Sequence, residues 1–161
     1  MSEIDSSLFL KSAGSIAIPS IEATDVFLAI KNSAPISVTT ETKDELAFRY
    51  RSVDFVANID EFGEKGNQTR SVFFCAEVCK PDSPKIVQAM VGMMRANYIM
   101  MRFGEMPIFF SLKDAADSPE GVFCLSIKIA LDRTADFEWS KTIEELEQQI
   151  IGFRDVQHQP D

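Results

Sequence analysis

The chain has 161 residues, a formal net charge of −9 and 45% hydrophobic residues, with an isoelectric point near 4.6. That length can bury one core without a metal or disulfide staple, and the apolar share is that of a folded chain rather than a disordered one. Affinity for phosphates comes from counterions released by clustered Lys and Arg, so the acidic balance argues against nucleic acid and anionic membrane as partners.

Cys75, Cys79 and Cys124 cannot pair completely, and all three fall in strand-like runs, the setting of buried reduced thiols. Met1 to Ser7 holds two acids and no basic n-region, and no apolar run approaches the roughly 18 residues of a membrane span. The expectation is a cytoplasmic protein without a signal peptide.

Residues 1–19 mix the apolar groups Leu8 to Leu10 and Ile16 to Ile18 with Ser, Ala and Gly, as an N-terminal arm or a short edge strand would. Ser20 to Lys31 follows as a predicted helix. Ser20 is its candidate cap, Ile21, Thr24, Phe27, Leu28 and Lys31 recur at helical spacing, and Pro35 closes it. The alternative for Val26 to Ile30 is a continuous buried strand. Period-two alternation then takes over. Leu46, Phe48 and Tyr50, then Val53, Phe55, Ala57 and Ile59, mark two strands or one bent strand. Glu61 to Arg70, with Gly63, Gly66 and Asn67, has the composition of an exposed connection. Val72 to Cys79 is apolar on both faces except at Glu77, as a central strand would be.

Pro81 to Met106 predicts one long apolar helix containing six of the seven methionines. Asp82 or Ser83 can cap it, Pro84 suits its first turn, and Gly104 and Pro107 mark its end. Ile86, Met90, Met93, Asn97 and Met101 form one stripe, and Val87, Val91, Met94 and Tyr98 an adjacent one. Between Pro84 and Gly104 the only charges are Lys85, Arg95 and Arg102. The apolar side chains are either core under the sheet or, because two apolar stripes exceed what one sheet face usually covers, a dimer or client interface at Met90, Met94, Tyr98 and Met101.

Ile108, Phe110 and Leu112 start the next strand, Asp114 to Gly121 has the look of an acidic loop, and Phe123 to Leu131 alternates cleanly. Trp139, Ile143, Leu146, Ile150 and Phe153 lie on one face of a closing helix, with Thr142 to Glu145 as a possible capping box at its opening. The predicted fold is α+β, an antiparallel sheet of about five strands with helices on one face, in the order α-β-β-β-α-β-β-α. Residues 20–156 form its single domain, and residues 157–161 a disordered tail.

Catalytic chemistry finds no support. His158, the only histidine, sits in the polar tail, where nothing orients an imidazole. Cys75 and Cys79 would lie about 13 Å apart on one strand face, too far for a disulfide or a shared zinc. Asp54, Asp60, Glu61 and Glu64 lack the spacing of a calcium loop, and no glycine-rich phosphate loop follows a strand. The expectation is a protein that is not an enzyme, with no cofactor and no metal.

Particular segments resemble known families. Leu46 to Glu61, LAFRYRSVDFVANIDE, resembles the YbjN-like hairpin, in which a strand, a short turn and a second strand ending in acids follow the first helix. Met93 to Phe103 is similar to the end of the middle helix of class I type III secretion chaperones, where an alanine-asparagine pair, here Ala96 and Asn97, precedes a short loop and a strand. Gly121 to Ile151 resembles their closing strand and helix. The resemblance spans about Ser20 to Phe153, whereas the chaperones begin almost directly with the first helix. It implies a non-enzymatic homodimer with the middle helix near the twofold. Client segments would lie extended on the sheet's exposed edge or in apolar grooves. The alternative that it implies is a YbjN-like regulator or adaptor without a secreted client.

Overall fold

The computed structural model describes residues 20–64, 68–80, 86–103, 108–115 and 118–157. The order is α1 (Ala23–Ser33), β1 (Ser37–Glu41), β2 (Glu45–Tyr50), β3 (Val53–Phe62), β4 (Thr69–Cys79), α2 (Ile86–Phe103), β5 (Ile108–Ala115), β6 (Ser118–Ala130), a 3-10 turn (Leu131–Arg133) and α3 (Trp139–Gln157). The strands make one antiparallel sheet in the order β1-β2-β3-β4-β6-β5.

The fold is α+β, as expected, with six strands rather than five. The added strand is β1, whose five residues are all exposed, so no apolar alternation announced it. Leu46 to Ile59 is two strands, joined at Arg51 and Ser52. Arg51 there takes a φ of 52°, the left-handed conformation that such tight hairpin turns favour. Its guanidinium lies 4.9 Å from the centre of the Tyr50 ring and bonds the buried Glu147 carboxylate of α3 at 3.2 Å. The acidic stretch expected as a loop is largely strand, because β5 runs to Ala115 and β6 starts at Ser118. The proposed cap at Asp82 or Ser83, Pro84, the helix end at Gly104 and Pro107, and the expected arm at 1–19 lie outside the described residues, as does the expected tail at 157–161 except for Gln157, which ends α3 instead.

The inward phase of every central strand is apolar, and this sets the core. Leu46, Phe48, Phe55, Val72, Phe74, Leu125 and Ile127 pack with Val26, Phe27 and Ile30 of α1 and with Trp139, Ile143, Leu146 and Ile150 of α3. Full burial of such a side chain contributes roughly 1.5–3 kcal/mol. Phe48 stacks on Phe55 at 5.2 Å, and Trp139 meets Phe74 edge-on at 5.3 Å. Arg154 of α3 donates to the carbonyl oxygens of Val78, Glu77 and Ser52, tying the last helix to the end of β4 and to the β2–β3 turn. All three helices pack into this one core, α2 through Met93. The opposite face carries a smaller cluster of Val56, Cys75, Val122 and Cys124.

Two helix details differ from expectation. The start of α1 is capped by Glu22 and Asp25, each accepting from the other's backbone, rather than by Ser20. Its buried face is Ala23, Val26, Phe27 and Ile30, with Leu28 and Thr24 turned to solvent. In α3 the helix begins at Trp139, so Thr142 lies inside its first turn and opens no capping box.

Candidate interaction surface on the middle helix

α2 packs chiefly against β5, the strand at one edge of the sheet. Of the stripe predicted to carry Met90, Met93 and Asn97, Met93 and Asn97 turn toward the sheet, whereas Met90 is exposed. Met93 is 4% exposed and joins the core. Asn97 makes the most specific contact. Its Nδ2 donates to the Phe110 carbonyl at 3.1 Å, and its Oδ1 accepts from the Phe110 amide. Phe110 stands opposite Leu125 of β6. Because Asn97 takes both the amide and the carbonyl of Phe110, these groups are turned away from β6, toward the free side of the strand. One carboxamide supplies there the donor and acceptor that a further strand would otherwise supply.

The second stripe is open. Met94 is 69% exposed and Tyr98 60%; Met90 and Val91 are exposed to a lesser degree. Ile99, on the helix, and Leu112, on β5, widen the band at 56% and 58%. Of the four residues expected at an interface, Met90, Met94 and Tyr98 are thus solvent-facing, and the side chain of Met101 lies outside the described residues. Leu112 was missed as a surface residue, because strand alternation puts it in the same phase as the inward Ile108 and Phe110. Its position on an edge strand, which the sequence does not show, leaves it uncovered. Between helix and strand lies a pocket of about 130 Å³, lined by Met90, Met93, Met94, Phe110, Leu112 and Phe123 among others. That is room for a single large apolar side chain.

Elsewhere the candidate chemistry separates. A register shift between Glu77 and Cys79 turns Cys79 toward the helix-bearing core, while Cys75 sits in the cluster on the other face. The expected same-face pair is thereby corrected: a bulge adds a residue and breaks the period of two. Cys124 of β6 shares that cluster with Cys75, and its thiol donates to the Val122 carbonyl at 3.7 Å. The interaction of the two thiols lowers the Cys75 pKa and, with burial, raises that of Cys124. Burial also raises Cys79. Asp54 is held below the usual carboxylate range by Arg49, which grips both its oxygens at 2.7 Å. Among the described residues no group of three or more His, Cys, Asp or Glu converges to hold a metal, and no helix is long and apolar enough to cross a membrane. His158 lies outside the described residues.

Comparison with family models, with curated proteins and with solved structures finds no match for this chain.

Proposed function

We propose that this chain is a non-enzymatic protein-binding domain of the secretion-chaperone kind, a homodimer that holds a segment of a client polypeptide. The observation that carries the proposal is the set of exposed apolar side chains Met90, Val91, Met94, Tyr98 and Ile99 on α2 and Leu112 on β5, with a pocket the size of one side chain between Met90, Met94 and Leu112. Large exposed apolar patches mark interaction sites more often than idle surface. Methionine suits the role because its unbranched, polarizable chain repacks against partners of different shape. The client is expected in the groove beside α2 rather than along β5, since Asn97 already holds the peptide groups of Phe110.

Light scattering on the eluted wild-type protein should give twice the chain mass at micromolar concentration, and Met94→Glu should give the chain mass alone with an unchanged circular dichroism spectrum. Polypeptides encoded beside this chain, expressed with it, should include one whose segment the wild type protects from proteolysis and Met94→Glu does not. A wild type that elutes as a monomer and protects none of them would overturn the proposal.

A further inference from the structure

The face of the sheet turned away from the three helices is withdrawn from water. In an antiparallel sheet such a face is ordinarily solvated and polar. Here its centre is neutral and small: Val56 of β3, Cys75 of β4, and Val122 and Cys124 of β6 form a cluster, edged by Ala47 and Phe73. Cys75, Cys124 and Ser126 are 0% exposed, although α1, α2 and α3 all pack into the core on the other side. Charges stand at the rim, where Arg49 grips Asp54 and Lys128 lies over the Phe62 ring. An apolar centre inside a polar rim is the anatomy of a covered interface. Ser71 adds an independent sign. Its hydroxyl, on the same face and 4% exposed, has no hydrogen-bond partner among the described residues, and a buried polar group is ordinarily paired.

Residues 1–19 join the fold beside this face. Glu22 bonds Arg70 at 3.1 Å, and Arg70 precedes Ser71 on β4 and stands opposite Glu61 of β3. The segment therefore enters at the end of β3 and β4 where the helix-free face begins. It holds two apolar groups, Leu8 to Leu10 and Ile16 to Ile18. Extended, it reaches roughly 60 Å, whereas the six strands span about 24 Å edge to edge. We infer that residues 1–19 are the cover of the helix-free face, with Leu8 to Leu10 and Ile16 to Ile18 as the anchors that complete the cluster of Val56, Cys75, Val122 and Cys124. Two short apolar groups suit a shallow floor of small side chains, and the peptide groups of the segment are within reach of the Ser71 hydroxyl. The inference is independent of the role proposed for α2, which packs on the other face.

Alkylation of the native thiols in the full chain, read cysteine by cysteine in a mass spectrometer, tests the cover. In the wild type Cys75 and Cys124 should resist the reagent, while the half-buried Cys79 on the helix-bearing side reacts. Phe9→Asp/Ile16→Asp charges both anchors and should speed modification of Cys75 and Cys124 by roughly tenfold or more, with Cys79 unchanged. Thiols as well protected in this variant as in the wild type would overturn the inference and show that strand neighbours such as Phe73 shield them. Should Cys79 accelerate too, the milder Phe9→Ser decides by the same three rates.

The segment itself gives the second reading. Lys11 is the only Lys or Arg among residues 1–19, and trypsin cuts after it only where the surrounding chain is free. Val56→Asp places a charge on the floor without altering the segment, and should speed cleavage after Lys11 by roughly tenfold or more, with cleavage after Lys31 of α1 unchanged. If Val56→Asp loosens the whole sheet and Lys31 is cut faster too, Phe9→Asp/Ile16→Asp supplies the comparison instead. Cleavage after Lys11 as fast in the wild type as in the variant would overturn the inference. So would a protection of Lys11 that is lost on dilution, since it would assign the cover to a second copy of the chain.

Discussion

At the scale of single residues, Arg51 shows how a local cost is held by a distant partner. A left-handed conformation is disfavoured for any side chain bearing a Cβ, by roughly 1–2 kcal/mol, yet Arg51 adopts it at the β2–β3 turn. What it gains is Glu147, a carboxylate buried in α3 whose described ion pair is this guanidinium, together with a longer contact to Glu144. Arg51→Ala should therefore destabilise the fold by about 1–3 kcal/mol, because a buried charge loses its hydrogen-bond partner while the backbone strain stays. Arg51→Gly loses the same pair but relieves the strain, so it should sit about 1 kcal/mol above the alanine variant. Urea midpoints of the three proteins check this, and a glycine variant no more stable than the alanine one would refute the strain. From sequence, Arg51 was one polar residue in an alternating strand. The break after Tyr50 was legible as a short turn or a bend, but the partner 96 positions away was not, because it depends on how α3 crosses the sheet.

At the scale of elements, the chain disclosed what it buries and concealed what it exposes. α3 was legible residue by residue, since Trp139, Ile143, Leu146, Ile150 and Phe153 all face inward. So were β2 to β4, with their apolar alternation. β1 was invisible, because backbone pairing alone recruits Ser37 to Glu41. The face of α1 was misjudged by one position, as Val26, Phe27, Leu28 and Ile30 are all apolar and only packing decides which turn in. Gly121 was taken to end a loop, but it lies within β6 at a φ of 83°, beside the irregular pairing of Lys113 and Ala115. A Cβ added there would come within 2.8 Å of the Lys113 carbonyl and 3.1 Å of Leu112. Gly121→Ala should thus cost about 1–3 kcal/mol through backbone strain and a forced contact with the neighbouring strand. Because the added carbon would meet the Lys113 carbonyl first and the Leu112 side chain next, the damage should reach the exposed Leu112 as well. Thermal unfolding checks the cost, and an unchanged midpoint would show that the hairpin can shift without penalty. On α2 both stripes were legible, but not which side chains face out, since both stripes are apolar: Met93 and Asn97 turn in, while Met90 of the same stripe is exposed with Val91, Met94 and Tyr98. Asn97 decides it: a carboxamide placed beside an edge strand is worth more bonded there than in water.

At the scale of the whole molecule, charge and apolar surface pull in opposite directions, and this yields a sign that can be measured. Each chain carries a formal −9, so two copies repel at long range. The α2 segment, by contrast, contains Arg95 and Arg102 and no acid, and its exposed band is apolar. If burial of Met94, Tyr98 and Leu112 drives pairing, the attraction acts at contact and is insensitive to screening, whereas the repulsion acts over the Debye length. That length falls from about 30 Å at 0.01 M salt to about 8 Å at 0.15 M. Adding salt should then strengthen dimerisation, opposite in direction to an interface built on ion pairs or to binding of nucleic acid. Sedimentation equilibrium at the two ionic strengths reads the effect directly. A dissociation constant that rises with salt would show that charge pairing, rather than the apolar band, joins the copies. Burial of apolar surface also gives association a negative heat-capacity change, so the salt-strengthened dimer should show that signature on dilution calorimetry, and Met94→Glu should lose both together.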